Sequence, residues 1–187
     1  MKVMIISQPK AGTYLCNNLM EEFGFESSYK HLNKTNYQAY DKNNLENCKS
    51  NPRQYDVNVD ISQSVQTIKD NQVAMTHLSY SKDLQNIFKD FKKILLTRDK
   101  QNRDKSWERF KKIRPWNSIP TEGHYDNIKA WNKCEDVFEL QFDDMINKNT
   151  TQLDKLQLFL VDEIKYNSEQ AMCSATQKPS ITKSNIR

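Results

Sequence analysis

Val3-Met4-Ile5-Ile6-Ser7-Gln8-Pro9-Lys10-Ala11-Gly12-Thr13-Tyr14-Leu15 joins an apolar run to a short loop and then to a stretch in which Leu15, Leu19, Met20 and Phe23 recur at helical spacing. The opening run is apolar and partly β-branched, as a strand buried on both faces requires. The spacing thus predicts strand, loop and helix. A loop at this position leaves backbone N–H groups without partners at the start of the helix, where the helix dipole also favours negative charge. Gly12 is one of only 3 glycines in 187 residues, and it stands where backbone must approach a ligand closely. Lys10 adds a mobile positive charge and Thr13 a hydroxyl. Phosphate or sulfate is the expected guest, although the segment alone equally fits an ordinary strand-to-helix turn with a solvated lysine. It is not a Walker A loop, because the lysine precedes the glycine.

Working outward, 187 residues suit one domain that buries roughly 70% of the surface its unfolded chain exposes. Hydrophobic residues make up 36% and mean hydropathy is −0.89, so much of the polarity is expected in loops. The 28 basic and 24 acidic residues are mixed along the chain, giving a net charge of +4 without the basic block of a nucleic-acid tail. Cys16, Cys48, Cys134 and Cys173 are widely spaced and indicate neither a zinc site nor a disulfide framework. Neither a signal peptide nor an apolar stretch near the ~20 residues of a membrane span is visible. A soluble, cytoplasmic protein is the expectation.

Two further apolar runs, Gln72-Val73-Ala74-Met75-Thr76-His77-Leu78 and Lys93-Ile94-Leu95-Leu96-Thr97-Arg98-Asp99, flank a helical pattern of Leu84, Ile87, Phe88 and Phe91. The strand-helix-strand alternation predicts an α/β protein, three layers deep, with a central parallel sheet and right-handed crossovers. All strand carboxyl ends then lie along one edge, where open parallel sheets bind ligands. Lys10, His77 and Arg98 each follow such a run. Each has an everyday explanation as a capping or solvated residue; three at one edge form a candidate site.

The region from Ser27 to Asn71 reads as loops and short helices, with Ile61, Val65 and Ile68 marking one helix that Asp60 or Ser62 begins. Ile113 to Pro120 breaks a helix at its prolines. Tyr125 to Lys133 reads as a helix, Val137 to Phe142 as a strand, and Leu153, Leu156, Phe159 and Leu160 as the apolar face of a last helix capped by Thr150 or Thr151. Residues 165–187 read as an irregular tail. His31 and His124 fall in polar loops, unassigned, although either can touch an acceptor.

Pro9-Lys10-Ala11-Gly12-Thr13 resembles the 5′-phosphosulfate loop of the sulfotransferases, commonly Pro-Lys-Ser-Gly-Thr, which use 3′-phosphoadenosine 5′-phosphosulfate (PAPS). Thr76-His77-Leu78 resembles the Thr-His-Leu that holds that family's catalytic base. Arg98-Asp99, with Ser106 eight positions after Arg98, resembles its 3′-phosphate signature, and Phe142-Asp143-Asp144-Met145 its Tyr-Glu-Asp-Leu. The resemblance runs in pieces from residue 3 to about 160 and implies a P-loop NTPase-like sulfotransferase fold. It implies His77 and Lys10 as catalytic residues. Lys10, Ala11, Gly12, Thr13 and Tyr14 would hold the 5′-phosphosulfate, and Arg98 and Ser106, the latter on the first turn of its helix, the 3′-phosphate. No metal is expected, and the acceptor is a small molecule or glycan shaped in part by residues 27–71, which equally read as a decorative excursion. His77 as a core or capping histidine is the plainer alternative. The family's Gly-rich closing loop is missing, since no glycine follows Gly123, and Lys178 to Lys183 is at best a basic remnant. Two other readings therefore stay open: a non-catalytic adenosine-bisphosphate-binding protein on this scaffold, and a P-loop small-molecule kinase using Asp99 or Asp143.

Overall fold

Along β1 (Lys2–Ser7) the side chains alternate between two apolar layers: Val3 and Ile5 enter one, Met4 and Ile6 the other, and all four are fully buried. A strand covered on both sides needs an apolar residue at every position, which is why this run fails to alternate. These features come from a computed structural model that describes residues 1–40, 54–113, 115 and 118–178. Around β1 the sheet has seven strands in the order β4-β3-β2-β5-β1-β6-β7. These are β2 (Glu26–Leu32), β3 (Tyr37–Tyr40), β4 (Gln54–Val57), β5 (Gln72–Thr76), β6 (Phe91–Thr97) and β7 (Val137–Gln141). The five strands from β2 to β7 across β5, β1 and β6 pair in parallel; the sequence predicts this for β5, β1, β6 and β7 but not for β2.

Helices cover both faces. On one side α1 (Thr13–Glu22), α6 (Phe142–Ile146), α7 (Thr150–Val161) and α8 (Ser168–Gln177) pack Leu19, Met145, Leu153, Leu156 and Met172 onto Val3, Ile5, Val73 and Met75. On the other, α2 (Ile61–Gln66), α3 (Lys82–Ile87) and α5 (Glu122–Lys129), with a 3-10 turn at Ala130–Lys133, bring Ile61, Leu84, Ile128 and Trp131 onto Met4, Ile6, Ala74 and Leu95. The fourteen-residue α4 (Lys100–Ile113) ends before Pro115, as proline requires.

Four expectations need correction. Residues 27–71 are not only loops and short helices: β2 extends the parallel sheet, and β3 and β4 add an antiparallel ribbon at its edge, so the sheet is mixed. Residues 165–187 are not wholly irregular, because α8 seals α1, with Asn18 Nδ2 donating to the Ala175 carbonyl at 3.2 Å. Asn149, rather than Thr150 or Thr151, caps α7 by accepting from the Gln152 N–H. Ser106 lies in the second turn of α4, not the first, since the helix opens at Lys100. Asp60 caps α2 as one of the two expected residues. Cys16, Cys134 and Cys173 are free thiols, and Cys48 lies outside the described residues.

At the amino end of β6, Lys93 is fully buried and ion-paired with Asp136, while its ammonium also donates to the Phe91 carbonyl at 3.0 Å. Removing one member of such a pair strands the other charge, whereas replacing the lysine by an apolar residue of like volume does not. Asp136→Ala should therefore lower the unfolding free energy by about 3 kcal/mol in urea titrations, and Lys93→Met by much less. Equal losses from the two variants would show that the cost is the loss of the pair itself and not a stranded lysine charge.

Candidate functional site

Three neighbouring parallel strands, β5, β1 and β6, deliver the candidate residues to one edge. Register places Ile6 beside Thr76 and Ser7 beside Leu96, so the residues that follow are neighbours across the strands. The chain leaving β1 turns at once: the Ala11 N–H donates to the Gln8 carbonyl at 3.0 Å, with Pro9 second in the turn and Lys10 third at φ 70°. That is the pattern of a type II turn, whose third residue is ordinarily glycine. Gly12 then caps α1 at φ 90°. A Cβ there would meet the Phe142 ring at 2.5 Å, so glycine is required by both conformation and space.

Gln8, fully buried, pins the loop from behind. Its N–H donates to the Leu96 carbonyl at 3.1 Å and its side-chain oxygen accepts from the Arg98 N–H at 3.4 Å. Arg98 turns back over the loop, with Nη1 donating to the Lys10 carbonyl at 2.9 Å and its guanidinium 3.9 Å from the centre of the Phe142 ring. Its Nε is buried and has no hydrogen-bond partner among the described residues. Lys10 Nζ lies 3.1 Å from the centre of the Phe110 ring and 5.3 Å from that of Trp107, both on α4. Trp107 is held in turn by a 2.7 Å hydrogen bond from its Nε1 to the Tyr125 hydroxyl. Ser106 is half-buried on α4 just before Trp107, and Phe110, one turn on, shares its helix face.

His77 follows β5. Its Nδ1 lies 2.7 Å from the Ser7 carbonyl and 3.0 Å from Ser7 Oγ, and Ser7 Oγ is 2.7 Å from Thr13 Oγ1. The other two histidines gather here as well, which the sequence does not foretell. His31 is not in a polar loop: it is a buried residue of β2 with its ring 4.4 Å from that of His77 and 6.5 Å from that of Tyr14. Its Nδ1 has no partner among the described residues. His124 sits on α5, with Nδ1 3.3 Å from Ser79 Oγ. Burial pushes the His77 pKa down to about 4; the bond to the Ser7 backbone opposes this, while His124 and Lys10 add to it. Burial, and then His77, hold His31 well below the ordinary value.

The edge thus combines an anion-ready loop, two half-buried cations against aromatic faces, and a cluster of histidines in which buried His31 and half-buried His77 are both held neutral. It can bind a phosphate or sulfate and accept a proton beside it. A separate cavity of about 450 Å³, lined by Lys89, Lys93, Cys134 and Asp136 among others, lies at the opposite, amino end of β6 and includes none of these residues. Among the described residues no group of three or more His, Cys, Asp or Glu side chains is placed to hold a metal, and no helix is long and apolar enough to cross a membrane.

No family model matches the chain, and no curated protein matches it. Among solved structures, the chain is similar to that of a mouse sulfotransferase, SULT7A1, complexed with PAP, with a TM-score of 0.59 and 16% identity. The match covers 94% of this chain and 63% of that one, so the chain spans less than two thirds of its neighbour's length. At this identity the likeness establishes the fold, a sulfotransferase-like α/β architecture.

Because His31 and His77 have lowered pKa values, the unfolded chain binds more protons at them than the folded chain once pH falls below 6.5. Stability is therefore retained above that value and declines toward pH 4, by up to about 1.4 kcal/mol per pH unit for each histidine. His31→Leu should make the decline visibly shallower in pH-dependent urea unfolding; an unchanged slope would mean that His31 is not held neutral.

Proposed function

We propose that the chain is a PAPS-dependent sulfotransferase that moves a sulfuryl group to a hydroxyl or amine of an acceptor molecule. The observation that carries this reading is the meeting of the Lys10 loop, His77 and Arg98 after three adjacent parallel strands, on a fold similar to that of a sulfotransferase. The residues present fit the cofactor. Thr13 and the amino end of α1 adjoin the loop, and Arg98 Nε is a buried donor without a partner among the described residues. Lys10, Ala11, Gly12, Thr13 and Tyr14 would hold the 5′-phosphosulfate, and Arg98 with Ser106 the 3′-phosphate. Bound there, PAPS would supply an activated sulfuryl group on a phosphate leaving group.

His77 would take the acceptor's proton. The Ser7 carbonyl can only accept, so Nδ1 carries the hydrogen and Nε2 keeps its lone pair for the acceptor. With its pKa near 4 the ring is uncharged at neutral pH and ready to accept, its protonation becoming favourable as the acceptor oxygen loses electron density. The Lys10 ammonium, swung from the Phe110 face, and the loop N–H groups would stabilise charge growing on the departing phosphate. His31, at ring contact with His77, draws the 27–71 region to the acceptor side.

One observation favours the non-catalytic reading. Lys178, the first residue of the basic remnant, pairs with Glu21 at 3.3 Å and Glu22 at 2.6 Å, at the far end of α1 from the loop. The rest of that remnant lies outside the described residues. Asp99 is occupied in capping α4, accepting from the Asn102 N–H at 3.1 Å, which does nothing for the kinase reading.

Isothermal titration with 3′,5′-adenosine bisphosphate, ADP and ATP-magnesium tests the proposal. The bisphosphate should bind most tightly, and Arg98→Ala should weaken it about 30-fold, close to 2 kcal/mol. His77→Ala should keep that affinity and lose about 10²–10⁴-fold in transfer from labelled PAPS to a panel of phenols, sugars and amines. Preference for ATP-magnesium would favour the kinase, and bisphosphate binding without transfer to any acceptor the silent binding protein.

A further inference from the structure

The hydrogen bonds behind His77 start from an end whose direction chemistry fixes. Nδ1 donates to the Ser7 carbonyl, so it cannot also accept from Ser7 Oγ, 3.0 Å away. That hydroxyl oxygen therefore meets Nδ1–H as a second acceptor. Either hydroxyl of the 2.7 Å Ser7–Thr13 pair could donate; we assign Ser7 as the donor, since Thr13 Oγ1 is the acceptor within reach of its hydrogen, and Thr13 then keeps a hydroxyl hydrogen for an acceptor in the loop. Ser7 is fully buried and Thr13 is 4% exposed, so water competes little for these bonds. The order is His77 Nδ1–H to Ser7, Ser7 O–H to Thr13, and Thr13 O–H to the loop.

We propose that Ser7 is a positioning residue that couples the anion loop to the base: an anion accepting from Thr13 polarises the chain, strengthens Ser7 Oγ as acceptor for Nδ1–H, and makes Nε2 more basic. No proton is transferred along the chain; each donor keeps its hydrogen, and the bonds reinforce one another because each is polarised by the next. The base is thus armed only when the sulfuryl donor occupies the loop, which sets the order donor first, acceptor second. The inference rests on the sulfotransferase reading, since it takes the loop's anion to be the donor's phosphate. Other groups also face His77: His31 from β2, His124 from α5 and Lys10 from the loop. An anion beside Lys10 relieves that lysine's repulsion through space, without Ser7. The two routes are separable, because only one needs the Ser7 hydroxyl.

The chain has 3 histidines, so a ¹⁵N-histidine-labelled sample gives three imidazoles whose tautomers and pKa values nuclear magnetic resonance resolves, with His31→Gln and His124→Gln for assignment. The full-length protein is measured with and without saturating 3′,5′-adenosine bisphosphate, binding being confirmed by calorimetry. In the wild type His77 should be the Nδ1–H tautomer and its pKa should rise by about one on binding. Ser7→Ala should still bind the bisphosphate, yet show less than half that rise, and Ser7→Thr, which keeps the hydroxyl, should restore it. Bound bisphosphate with no rise, or with equal rises in wild type and Ser7→Ala, overturns the coupling and leaves the sulfotransferase reading standing. A wild type that fails to bind bisphosphate overturns that reading, and the coupling with it.

Discussion

The contact between the Phe142 ring and the α-carbon side of Gly12 is the constraint on which the edge of this sheet depends. Any side chain at residue 12 would occupy the space of that ring, and the backbone at φ 90° would reject it in any case. Phe142 opens α6 directly after β7, so the contact ties the last parallel strand to the loop after the first. Its other neighbour is Arg98, whose guanidinium lies 3.9 Å from the ring centre. One aromatic side chain thereby sets the height of the loop and the aim of the arginine that leans over it. Gln8 completes the arrangement from below, with bonds to β6 and to the carbonyl of Tyr125 at the base of α5.

Charge at this edge is held by aromatic faces as well as by carboxylates, Asp143 and Asp99 acting on Arg98. Lys10 lies over Phe110, Arg98 over Phe142 and Arg103 over Tyr125, the last also paired with Glu122 at 2.7 Å. A π face attracts a cation without neutralising it, so a cation seated on one keeps its charge. His31 and His77 respond in the opposite way, giving up charge because desolvation, then His77 beside His31 and His124 and Lys10 near His77, makes the imidazolium costly. Positive charge and uncharged imidazoles are thus kept at one edge of the sheet.

The sequence makes legible what rests on continuous burial. β1, β5 and β6 are buried on both faces, so their apolar runs stand out in a polar chain, and the residues that follow them mark the candidate edge. β2 was hidden for the same reason in reverse: Glu26, Tyr29 and Lys30 are polar or half-exposed, and a two-residue irregularity between Ser27 and His31, with Tyr29 at φ 53°, breaks the period that would announce a strand. His31 was missed with it, since only the sheet register brings it opposite Met75 and onto His77. α8 buries Ala171, Met172 and Ala175, small or unbranched residues that give a weak helical signal. Gln8 and Ser7 carry no motif of their own; their roles come from strands adjacent in space and distant in sequence.

Lys10 itself gives an argument from strain to function. At the third position of a Pro-containing turn a glycine would sit at φ 70° without penalty, whereas a residue with a β-carbon pays about 1–3 kcal/mol. The chain keeps a lysine there, although Gly12 two residues on shows that glycine serves in this loop where geometry alone decides. The side chain must therefore contribute something that glycine cannot. Its ammonium has a prepared seat on Phe110, held by an α4 face that Trp107 fixes to Tyr125, while its carbonyl accepts from Arg98. The same strained residue thus anchors the arginine through its backbone and carries a mobile cation on its side chain, so the loop cannot change shape without moving both charges of the site.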